Sequence, residues 1–393
     1  MANIDTHEGS GSFWIKTCPT TDYPTLEEGL KVDTVILGGG IAGITTAILL
    51  KDLGHKVAII ESDRIIKDVS IGTTAKISVA PNMIYNNLVK NFGKAKAQLY
   101  AIANEKALEK IGEIVSEKKI DCEFQRIPLY IYTESQDKIK MINEEIDAAK
   151  ELGLPVSYVN NVPLPFNTAA GLMYENQAQF HPRKYLLGLA EELNNSGCYI
   201  FEKTRAITVK EGNVKEVITD KGSIRADKVV VTTHTPVYDP DMLINHLHPA
   251  RSYVLGLYIN GEFPDGMFID FDPVHTYRTT PTESGKLIIV AGEHSNLKVD
   301  DMNEYYLSLE KYARQHLDVK SVEYRWSSHD SASDDGLPMI GMTSSKDIYV
   351  ATGFGFWGMN NGTTAAMVIS DLIEGKENSF REIFDPLRFK SKL

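Results

Sequence analysis

The chain has 393 residues, of which 42% are hydrophobic, and its 53 acidic and 41 basic side chains give a formal net charge of −12. This composition excludes a disordered chain, and the negative charge excludes a protein that coats nucleic-acid phosphates. No apolar run approaches the roughly 20 residues that a membrane span needs, so we expect a soluble protein of two or three domains.

The N-terminal segment and the cysteines indicate the compartment. Residues 1–12 lack the basic and apolar regions of a secretory signal. Cys18, Cys122 and Cys198 lie far apart and form no CxxC pair, so neither a disulfide framework nor a zinc site is predicted. We therefore expect a cytoplasmic protein that holds no metal.

A strand–helix–strand unit is the first strong signal along the chain. An apolar strand predicted over residues 31–37 leads into a GxGxxG pattern made by Gly38, Gly40 and Gly43; a helix follows over residues 42–53, and a second strand over residues 56–60 ends at Glu61. The glycines permit a tight turn, a close approach of a pyrophosphate and close helix packing, while the acid accepts hydrogen bonds from a ribose. The unit predicts dinucleotide binding; the alternative is a simple tight turn with a solvated Glu61.

Two further loops are suited to a flavin. Residues 72–76, Gly-Thr-Thr-Ala-Lys, form a small, hydroxyl-rich loop shortly after the second strand. Near the C-terminus, a strand predicted over residues 348–351 leads through a Gly-rich turn and residues 359–362 into a helix over residues 363–374. Such a turn directs N–H donors at its ligand, and a reduced flavin carries negative charge. An ordinary strand-to-helix connection is equally consistent with this second turn.

Additional motifs carry a resemblance to a known family. They are Ser12-Phe13-Trp14, Phe180-His181-Pro182 with Tyr185, Arg251-Ser252-Tyr253-Val254, Gly292-Glu293-His294, Arg325-Trp326, Asp335-Gly336-Leu337-Pro338-Met339-Ile340-Gly341, and Ala351-Thr352-Gly353-Phe354-Gly355 followed by Trp357-Gly358-Met359 and Gly362. With the glycine loops, they make the chain resemble the FAD-dependent oxidoreductases of the D-amino-acid oxidase superfamily, which includes sarcosine oxidase and glycine oxidase. The likeness is strongest to amine-oxidising flavoproteins that often carry a C-terminal Rieske iron–sulfur domain.

The resemblance implies an α/β (α+β) fold with two interleaved domains. A Rossmann-like FAD-binding domain would comprise residues 1–80, 176–235 and 325–393, and an antiparallel-sheet substrate domain residues 81–175 and 236–324. FAD would be held non-covalently, because the cysteine that some relatives use near Arg325 is missing. The implied FAD contacts are Gly38, Gly40, Ile41, Ala42, Gly43, Glu61, Ser62, Gly72, Thr73, Thr74, Ala206, Ile207, Thr232, Thr233, Gly353, Phe354, Gly358, Met359 and Asn360.

The sequence departs from the family pattern in two places. Only five residues follow Arg388, so we expect the Rieske module to be absent. The family's amino-acid oxidases bind the substrate carboxylate with an arginine about five residues before the Asp-Gly-x-Pro segment, and here that position holds Asp330. An acid repels a carboxylate and attracts an ammonium, so we expect a cationic amine rather than a zwitterionic amino acid. A surface or backbone-capping aspartate is the alternative.

The resemblance also places candidate catalytic side chains near the flavin. Lys76 would hydrogen-bond the flavin or lower the pKa of the amine. Tyr253 and Trp357 would form an aromatic wall for a cationic amine, and His294 would accept a proton. For each of these the alternative is a structural role, which is also the role we expect for His181 and His329.

The sequence is consistent with more than one electron acceptor and more than one class of reaction. Residues 287–290 contain no lysine where sarcosine-oxidase relatives carry one, so O2, a quinone and an electron-transfer protein are all candidate acceptors. The predicted reaction is oxidation of the C–N bond of a small amine or amino acid by hydride transfer to flavin N5. The alternatives are an NAD(P)H-dependent flavin hydroxylase and a flavoprotein subunit that relays electrons, or is not catalytic, within a larger complex.

Overall fold

The computed structural model describes residues 11–299 and 301–392, which form two β-sheets with helices packed around them. Residues 1–10, on which the expectation about a secretory signal largely rests, lie outside this range. The strands in chain order are β1 (Leu30–Leu37), β2 (Val57–Ile60), β3 (Lys76–Ile77), β4 (Gln125–Thr133), β5 (Val156–Val159), β6 (Ala170–Gln179), β7 (Tyr199–Phe201), β8 (Ala206–Lys210), β9 (Lys215–Thr219), β10 (Ser223–Val231), β11 (Leu247–Ile259), β12 (Met267–Phe271), β13 (Val274–Thr282), β14 (Gly285–Ser295), β15 (Val319–Ser333), β16 (Met339–Met342) and β17 (Ile348–Thr352).

The helices alternate with these strands along the chain. They are α1 (Phe13–Lys16), α2 (Ile41–Asp52), α3 (Val69–Gly72), α4 (Tyr85–Glu117), α5 (Ile139–Glu151), α6 (Pro182–Asn195), α7 (Met302–His316), α8 (Gly358–Ile373) and α9 (Arg381–Phe384), with 3₁₀ turns at Gln136–Lys138, Leu243–His246 and Pro386–Lys392. Within α4, Gly93 has non-helical angles (φ 78°, ψ 161°) and divides the helix in two. Among the described residues, no helix combines the length and the apolar character needed to cross a membrane.

The first sheet has the order β16-β17-β10-β1-β2-β7, with β9 on β10 and β8 on β9. Strand β1 pairs in parallel with both β10 and β2, while β16 runs antiparallel to β17 at the edge. Val35, Ile36 and Leu37 are fully buried, as expected for a parallel strand covered on both faces. Helices α2 and α8 pack together, and a Cβ at Gly362 would lie only 2.9 Å from Ile41 Cγ2, so this glycine allows their close approach.

The second sheet has the order β15-β11-β14-β13-β12-β4-β6-β3, with β5 also paired to β6. All of its ladders are antiparallel except the pairing of β12 with β4. Helix α7 covers one face, where Tyr306 and Leu309 join a core with Tyr253 and Tyr277. A parallel sheet with βαβ connections beside a mainly antiparallel sheet confirms the predicted fold class.

The two sheets meet beside the carboxyl ends of the central parallel strands. Strand β1 ends at Leu37, β10 at Val231 and β17 at Thr352, and the next residue after β10, Thr232, donates its N–H to Leu37 O at 2.8 Å. In open α/β sheets this edge is where ligands bind, because the loops that leave it diverge and open a crevice.

Candidate active site

A cavity of about 1230 Å³ lies between the two sheets. Its walls come from the loops after β1, β2, β10 and β17 on one side and from β11, β13, β14 and β15 on the other. Sites for small ligands usually measure roughly 300–1,000 Å³. The cavity therefore has room for a dinucleotide and a second, smaller molecule.

The glycine loop after β1 forms a cradle that any side chain would fill. Gly38 has φ +113°, and a Cβ there would lie 2.7 Å from Thr232 O. A Cβ at Gly40 would lie 2.9 Å from Ser70 Oγ, and one at Gly43 would lie 2.0 Å from Gly38 O. Gly38 and Gly40 line the cavity, whereas Gly43 instead packs α2 against the turn. The N-terminus of α2 thus faces the cavity with bare backbone, which suits a phosphate group.

Glu61 organises this loop as well as lining the cavity. Its Oε2 accepts a hydrogen bond from Gly39 N at 2.9 Å, and its Oε1 accepts from Ser62 Oγ and Asp63 N, both at 3.0 Å. The carboxylate is thereby fixed at the end of β2, beside the cradle. A ribose diol placed there would find an acceptor already oriented.

Most of the expected FAD contacts surround this cavity. Its lining includes Gly38, Gly40, Ile41, Ala42, Glu61, Ser62, Gly72, Thr73, Thr74, Thr232, Thr233, Gly353, Phe354, Gly358 and Met359. These residues come from five separate stretches of the chain that the fold brings together. Their role toward FAD stays a prediction.

Three of the expected contacts, besides Gly43, do not line the cavity. Ala206 and Ile207 begin β8, which pairs with β9, and the lining residue at this point is Arg205. Asn360 is fully buried; its Oδ1 accepts from Ser78 N at 3.0 Å and its Nδ2 donates to Asn104 O at 3.1 Å. The contacts expected of Ala206 and Ile207 with FAD are backbone contacts, and they stay predictions. The side chain of Asn360 connects α8 to the loop after β3 and to α4, and its contact with FAD also stays a prediction.

Lys76 lies at the cavity wall and is almost completely buried. Its Nζ donates to Thr74 Oγ1 at 3.0 Å and to Thr276 Oγ1 at 2.8 Å, and in the described part of the chain no carboxylate lies within 4.0 Å of it. Burial, and secondarily the Arg278 guanidinium, hold the pKa of Lys76 well below its usual range. The site thus contains a lysine ammonium that is easily neutralised.

Arg278 supports the loop that carries Lys76. Its Nη1 donates to the carbonyl oxygens of Thr74, Ala75 and Phe180 at 3.0–3.2 Å, and its guanidinium lies 5.4 Å from the centre of the Trp14 ring. Burial lowers the pKa of Arg278 to about 9. These bonds hold Ala75 in a left-handed conformation with φ +56°.

Asp330 lines the cavity but already uses both of its carboxylate oxygens. Oδ1 accepts from Ser331 N at 2.7 Å, and Oδ2 accepts from Phe356 N at 2.6 Å. Burial raises its pKa to about 6, although the two backbone hydrogen bonds act in the opposite direction. These contacts are those of an aspartate that caps backbone N–H groups. An interaction with a substrate ammonium stays a prediction.

Tyr253 does not reach the cavity. Its ring stacks on Tyr305 with centroids 4.7 Å apart, and its hydroxyl lies 3.0 Å from Ser295 Oγ on the side covered by α7. Its neighbours Ser252 and Val254 line the cavity instead. Successive residues of a strand point to opposite faces, so the predicted aromatic wall from Tyr253 is wrong.

Trp357 and His294 do line the cavity. Trp357 Nε1 donates to Ser78 O at 3.0 Å, which fixes the indole at the start of α8. The His294 ring meets Phe356 edge-to-face at 5.7 Å, and burial lowers the pKa of His294. Both positions are compatible with the predicted roles, which are not tested by these contacts.

Several cavity residues were missed by the sequence reasoning. They are Arg205, His234, Arg251, Ser252, Thr276 and Phe356. His329, expected to be structural, lines the cavity and packs perpendicular to His234 with ring centroids 5.1 Å apart. The sequence could have indicated two of these residues, because each is next to a residue that was expected at the site: His234 directly follows Thr233, and His329 directly precedes Asp330.

His181 has the structural contacts that were expected of it. Its Nδ1 accepts from Lys184 N at 3.2 Å and so caps α6, while burial lowers its pKa to about 3. Its Nε2 lies 2.9 Å from Thr17 Oγ1. The ring therefore remains neutral and serves packing and capping.

Comparison with known proteins identifies relatives over nearly the whole chain. A family model described as FAD dependent oxidoreductase, DAO, matches residues 33–372. A protein of Bacillus subtilis strain 168 that is named as a Rieske 2Fe-2S iron–sulfur protein, YhfW, is 36% identical over 388 residues, which are 97% of this chain and 76% of the relative.

Solved structures show the same fold at low sequence identity. An L-amino acid deaminase from Proteus vulgaris, with a specific insertion deleted, superposes with a TM-score of 0.76 at 18% identity, covering 96% of this chain and 98% of that one. Glycine oxidase from Geobacillus kaustophilus gives a TM-score of 0.74 at 16% identity, covering 91% and 99%. At these identities the likeness supports the fold alone.

Proposed function

The chain belongs to the DAO family of FAD-dependent oxidoreductases, and from this premise we propose that it oxidises the carbon–nitrogen bond of a small amine or amino acid. One observation carries the proposal: the backbone cradle for a dinucleotide, Gly38 to Gly40, and the buried Lys76 of the other sheet line the same cavity. Such a site can hold a cofactor and a substrate side by side, away from bulk water.

The residues around the cavity fit FAD. The bare backbone at Gly38 and Gly40 and the N-terminus of α2 would hold the pyrophosphate, and Glu61 would hold the ribose. None of the chain's cysteines, Cys18, Cys122 and Cys198, lines the cavity, which supports non-covalent binding. When bound, FAD accepts a hydride from the carbon that bears the nitrogen.

The chain's own groups would prepare the substrate for that transfer. An ammonium must lose a proton before its C–H bond can be oxidised, and Lys76, which burial makes readily neutral, would accept this proton. The hydroxyls of Thr74 and Thr276 hold Nζ in place at the cavity wall. Trp357 would close the pocket around the substrate.

The acceptor that reoxidises the enzyme is proposed to be an electron-transfer protein. The relative YhfW is named as an iron–sulfur protein, and this chain spans 76% of its length. Comparing the rate of reoxidation by O2 with the rate for a one-electron protein acceptor tests this proposal. Rapid reoxidation by O2 alone would make the enzyme an oxidase instead.

Two further proposals concern organisation and location. We propose that residues 1–80, 176–235 and 325–393 form the FAD-binding domain and that residues 81–175 and 236–324 form the substrate domain. The grouping of strands into two sheets supports this division in outline. However, β6 and β15 cross its boundaries, and β3, which lies within residues 1–80, belongs to the second sheet. A cytoplasmic location is supported by three free thiols, two of them buried.

The decisive experiment follows the visible spectrum of the purified protein under anaerobic conditions. Amines and amino acids are added in turn, and bleaching of the flavin band by any of them supports the proposed reaction. A bound flavin that no substrate reduces would favour the electron-relay subunit. Oxidation of NAD(P)H without amine would favour the hydroxylase, and a protein without flavin would overturn the proposal.

A further inference from the structure

Three buried side chains bind successive carbonyl oxygens of residues 72–75, the loop that leads from α3 into β3. The bonds run from Trp326 Nε1 to Gly72 O at 3.0 Å, from Trp14 Nε1 to Thr73 O at 2.8 Å, and from Arg278 Nη1 to Thr74 O and Ala75 O at 3.2 and 3.0 Å. The donors belong to three separate elements, β15, α1 and β13. The backbone of the loop is therefore fixed before any ligand binds.

The three donor side chains lie behind the loop as seen from the cavity. Thr73 and Thr74 line the cavity, whereas the donors do not. Trp14 is 0%, Arg278 1% and Trp326 3% exposed. The carbonyl oxygens that these side chains bind therefore turn away from the cavity.

One backbone N–H of the loop is consequently directed into the cavity. The C=O and the N–H of a trans peptide point in opposite directions. Because the Thr73 carbonyl faces Trp14, the N–H of the same peptide, which is that of Thr74, faces the cavity. Within residues 11–299 and 301–392, this N–H has no acceptor on the protein. It is available to a ligand.

We propose that Trp14 is a positioning residue for the flavin, which holds Thr73 O so that the Thr74 N–H is directed at the flavin ring and favours its reduction. A reduced flavin carries negative charge, and a preorganised N–H donor stabilises charge that develops beside it. The inference rests on the proposed function, because FAD must act as the redox cofactor in this cavity. It adds a determinant of the flavin's reduction potential.

The position of Thr74 favours the flavin over the phosphates as the acceptor of this N–H. Thr74 Oγ1 accepts from Lys76 Nζ at 3.0 Å, and the same Nζ donates to Thr276 Oγ1 of the second sheet at 2.8 Å. The cradle that suits the pyrophosphate is instead made by Gly38 and Gly40 of the first sheet. The loop therefore serves the part of the cofactor that reaches the second sheet, where the substrate would react.

The inference gives a role to the motif Ser12-Phe13-Trp14, which the proposed function leaves without one. Ser12 Oγ donates to Ile71 O at 2.9 Å, one residue before the loop, and also accepts from Trp14 N at 3.3 Å. Phe13 packs edge-to-face on Trp14, with ring centroids 5.1 Å apart, and on Tyr324 at 5.3 Å. The short helix α1 is thus bound to the segment that carries the loop at two points.

Arg278 reinforces the arrangement from the other side of Trp14. Its guanidinium lies 5.4 Å from the centre of the Trp14 ring, a cation–π distance that fixes the orientation of the indole. Its bond to Thr74 O acts on the next peptide, whose N–H, that of Ala75, donates to Thr73 Oγ1 at 2.9 Å. Hydrogen bonds in such a chain polarise one another, which strengthens the donors on the cavity side.

The test is the reduction potential of the bound FAD, measured anaerobically on the holoenzyme against a reference dye, without any amine. Trp14→Phe removes the indole N–H and keeps an aromatic ring. We expect the equilibrium constant for two-electron reduction to fall about 10-fold, which corresponds to a potential lower by about 30 mV. The affinity for oxidised FAD should change much less. A wild-type potential in Trp14→Phe would overturn the inference.

Two further variants distinguish the hydrogen bond from packing. Phe13→Leu lies in the same helix and makes no hydrogen bond to the loop, so it should lower the unfolding temperature but keep the wild-type potential. Trp326→Phe removes the bond to Gly72 O and should also lower the potential. It provides the test if Trp14→Phe does not fold, and a wild-type potential in it would then overturn the inference. Equal falls in Phe13→Leu and Trp14→Phe would assign the effect to packing and overturn it as well.

The outcomes separate this inference from the proposed function. If amines bleach the flavin but Trp14→Phe keeps the wild-type potential, the inference fails and the function stands. If no substrate bleaches the flavin while the potential still depends on Trp14, the function fails and the inference stands. Equal weakening of oxidised and reduced FAD binding in Trp14→Phe would assign the Thr74 N–H to the phosphates and overturn the inference.

Discussion

The carboxylate of Asp330 accepts a hydrogen bond of 2.6 Å from the backbone N–H of Phe356. This bond connects β15 to the turn that precedes α8, where Phe356 itself has a left-handed conformation with φ +65°. A turn in this conformation is costly for a non-glycine residue and persists only when its surroundings fix it. Asp330 therefore shapes one wall of the cavity through the backbone.

Replacing Asp330 with alanine should destabilise the protein and loosen this wall. Two amides, the buried Ser331 N and the half-buried Phe356 N, would lose their acceptors, at a cost of about 1–3 kcal/mol for the buried one. Chemical denaturation measures the loss, and the visible spectrum reports any change around the flavin. If Asp330→Asn keeps the wild-type KM for amines, the aspartate does not bind the substrate ammonium. A KM raised in Asp330→Asn without loss of stability would support the ammonium contact instead.

The stability of the protein should also depend on the protonation of Asp330. Its pKa rises from 3.8 to about 6 on folding, so the folded state holds a proton that the unfolded state releases. The stabilisation from this proton is complete below pH 3.8 and is lost as the pH rises through 6, a change of about 3 kcal/mol. The test is to measure the unfolding free energy of Asp330→Asn and of the wild type from pH 4 to 7. We expect the variant to lack this dependence on pH. Parallel pH profiles for the two proteins would contradict the prediction.

Gly40 and Gly43, at the start of α2, should respond differently to substitution by alanine. A Cβ at Gly43 would lie 2.0 Å from Gly38 O, a backbone atom that cannot move cheaply, so Gly43→Ala should unfold the protein or destabilise it by several kcal/mol. A Cβ at Gly40 meets only Ser70 Oγ, at 2.9 Å. Gly40→Ala should therefore fold but lose FAD, because the added methyl group narrows the phosphate cradle.

The double variant Gly40→Ala with Ser70→Ala provides the control for this comparison. Removing the Ser70 hydroxyl relieves the steric contact but also removes the acceptor of Ile41 N. Ser70→Ala alone is therefore measured beside the double variant, and FAD affinity of the double variant should stay low. Recovery of FAD binding in the double variant would show that the contact with Ser70, rather than the cradle, is what matters. Flavin absorbance per protein and thermal unfolding distinguish the cases.

Local patterns in the sequence predicted the first βαβ unit well. The strand expected over residues 31–37 is Leu30–Leu37, and the helix expected over residues 42–53 is Ile41–Asp52. Both depend on periodicity and glycine placement within a short stretch of chain. The fold class came instead from the family resemblance, which is carried by motifs spread along the whole chain.

Features that depend on long-range pairing could not be predicted in this way. Which face of β11 carries Tyr253 and which carries Arg251 is decided by an extra residue in β14, some forty positions further along the chain. Likewise, Asn360 resembles a turn residue in sequence, yet it is buried because α8 packs against the segment after β3. Family position alone therefore misplaced Tyr253 and did not indicate that Arg251 lines the cavity.

The last prediction concerns Lys76, whose pKa is held well below 10.5 by burial and by Arg278. The unfolded chain then binds a proton that the folded protein lacks, so stability should rise with pH toward 10.5, by at most about 1.4 kcal/mol per pH unit. Lys76→Met should remove this rise below pH 10.5 and should fold at least as stably as the wild type at pH 7, because no buried amine remains to be neutralised. Its rate of flavin reduction by amines should fall about 10²- to 10⁴-fold, the usual contribution of a positioned base. Thr276→Val, which removes one hydrogen bond to Nζ but keeps the amine, is the control and should lose far less activity. A Lys76→Met enzyme that is reduced at the wild-type rate would exclude Lys76 as the proton acceptor.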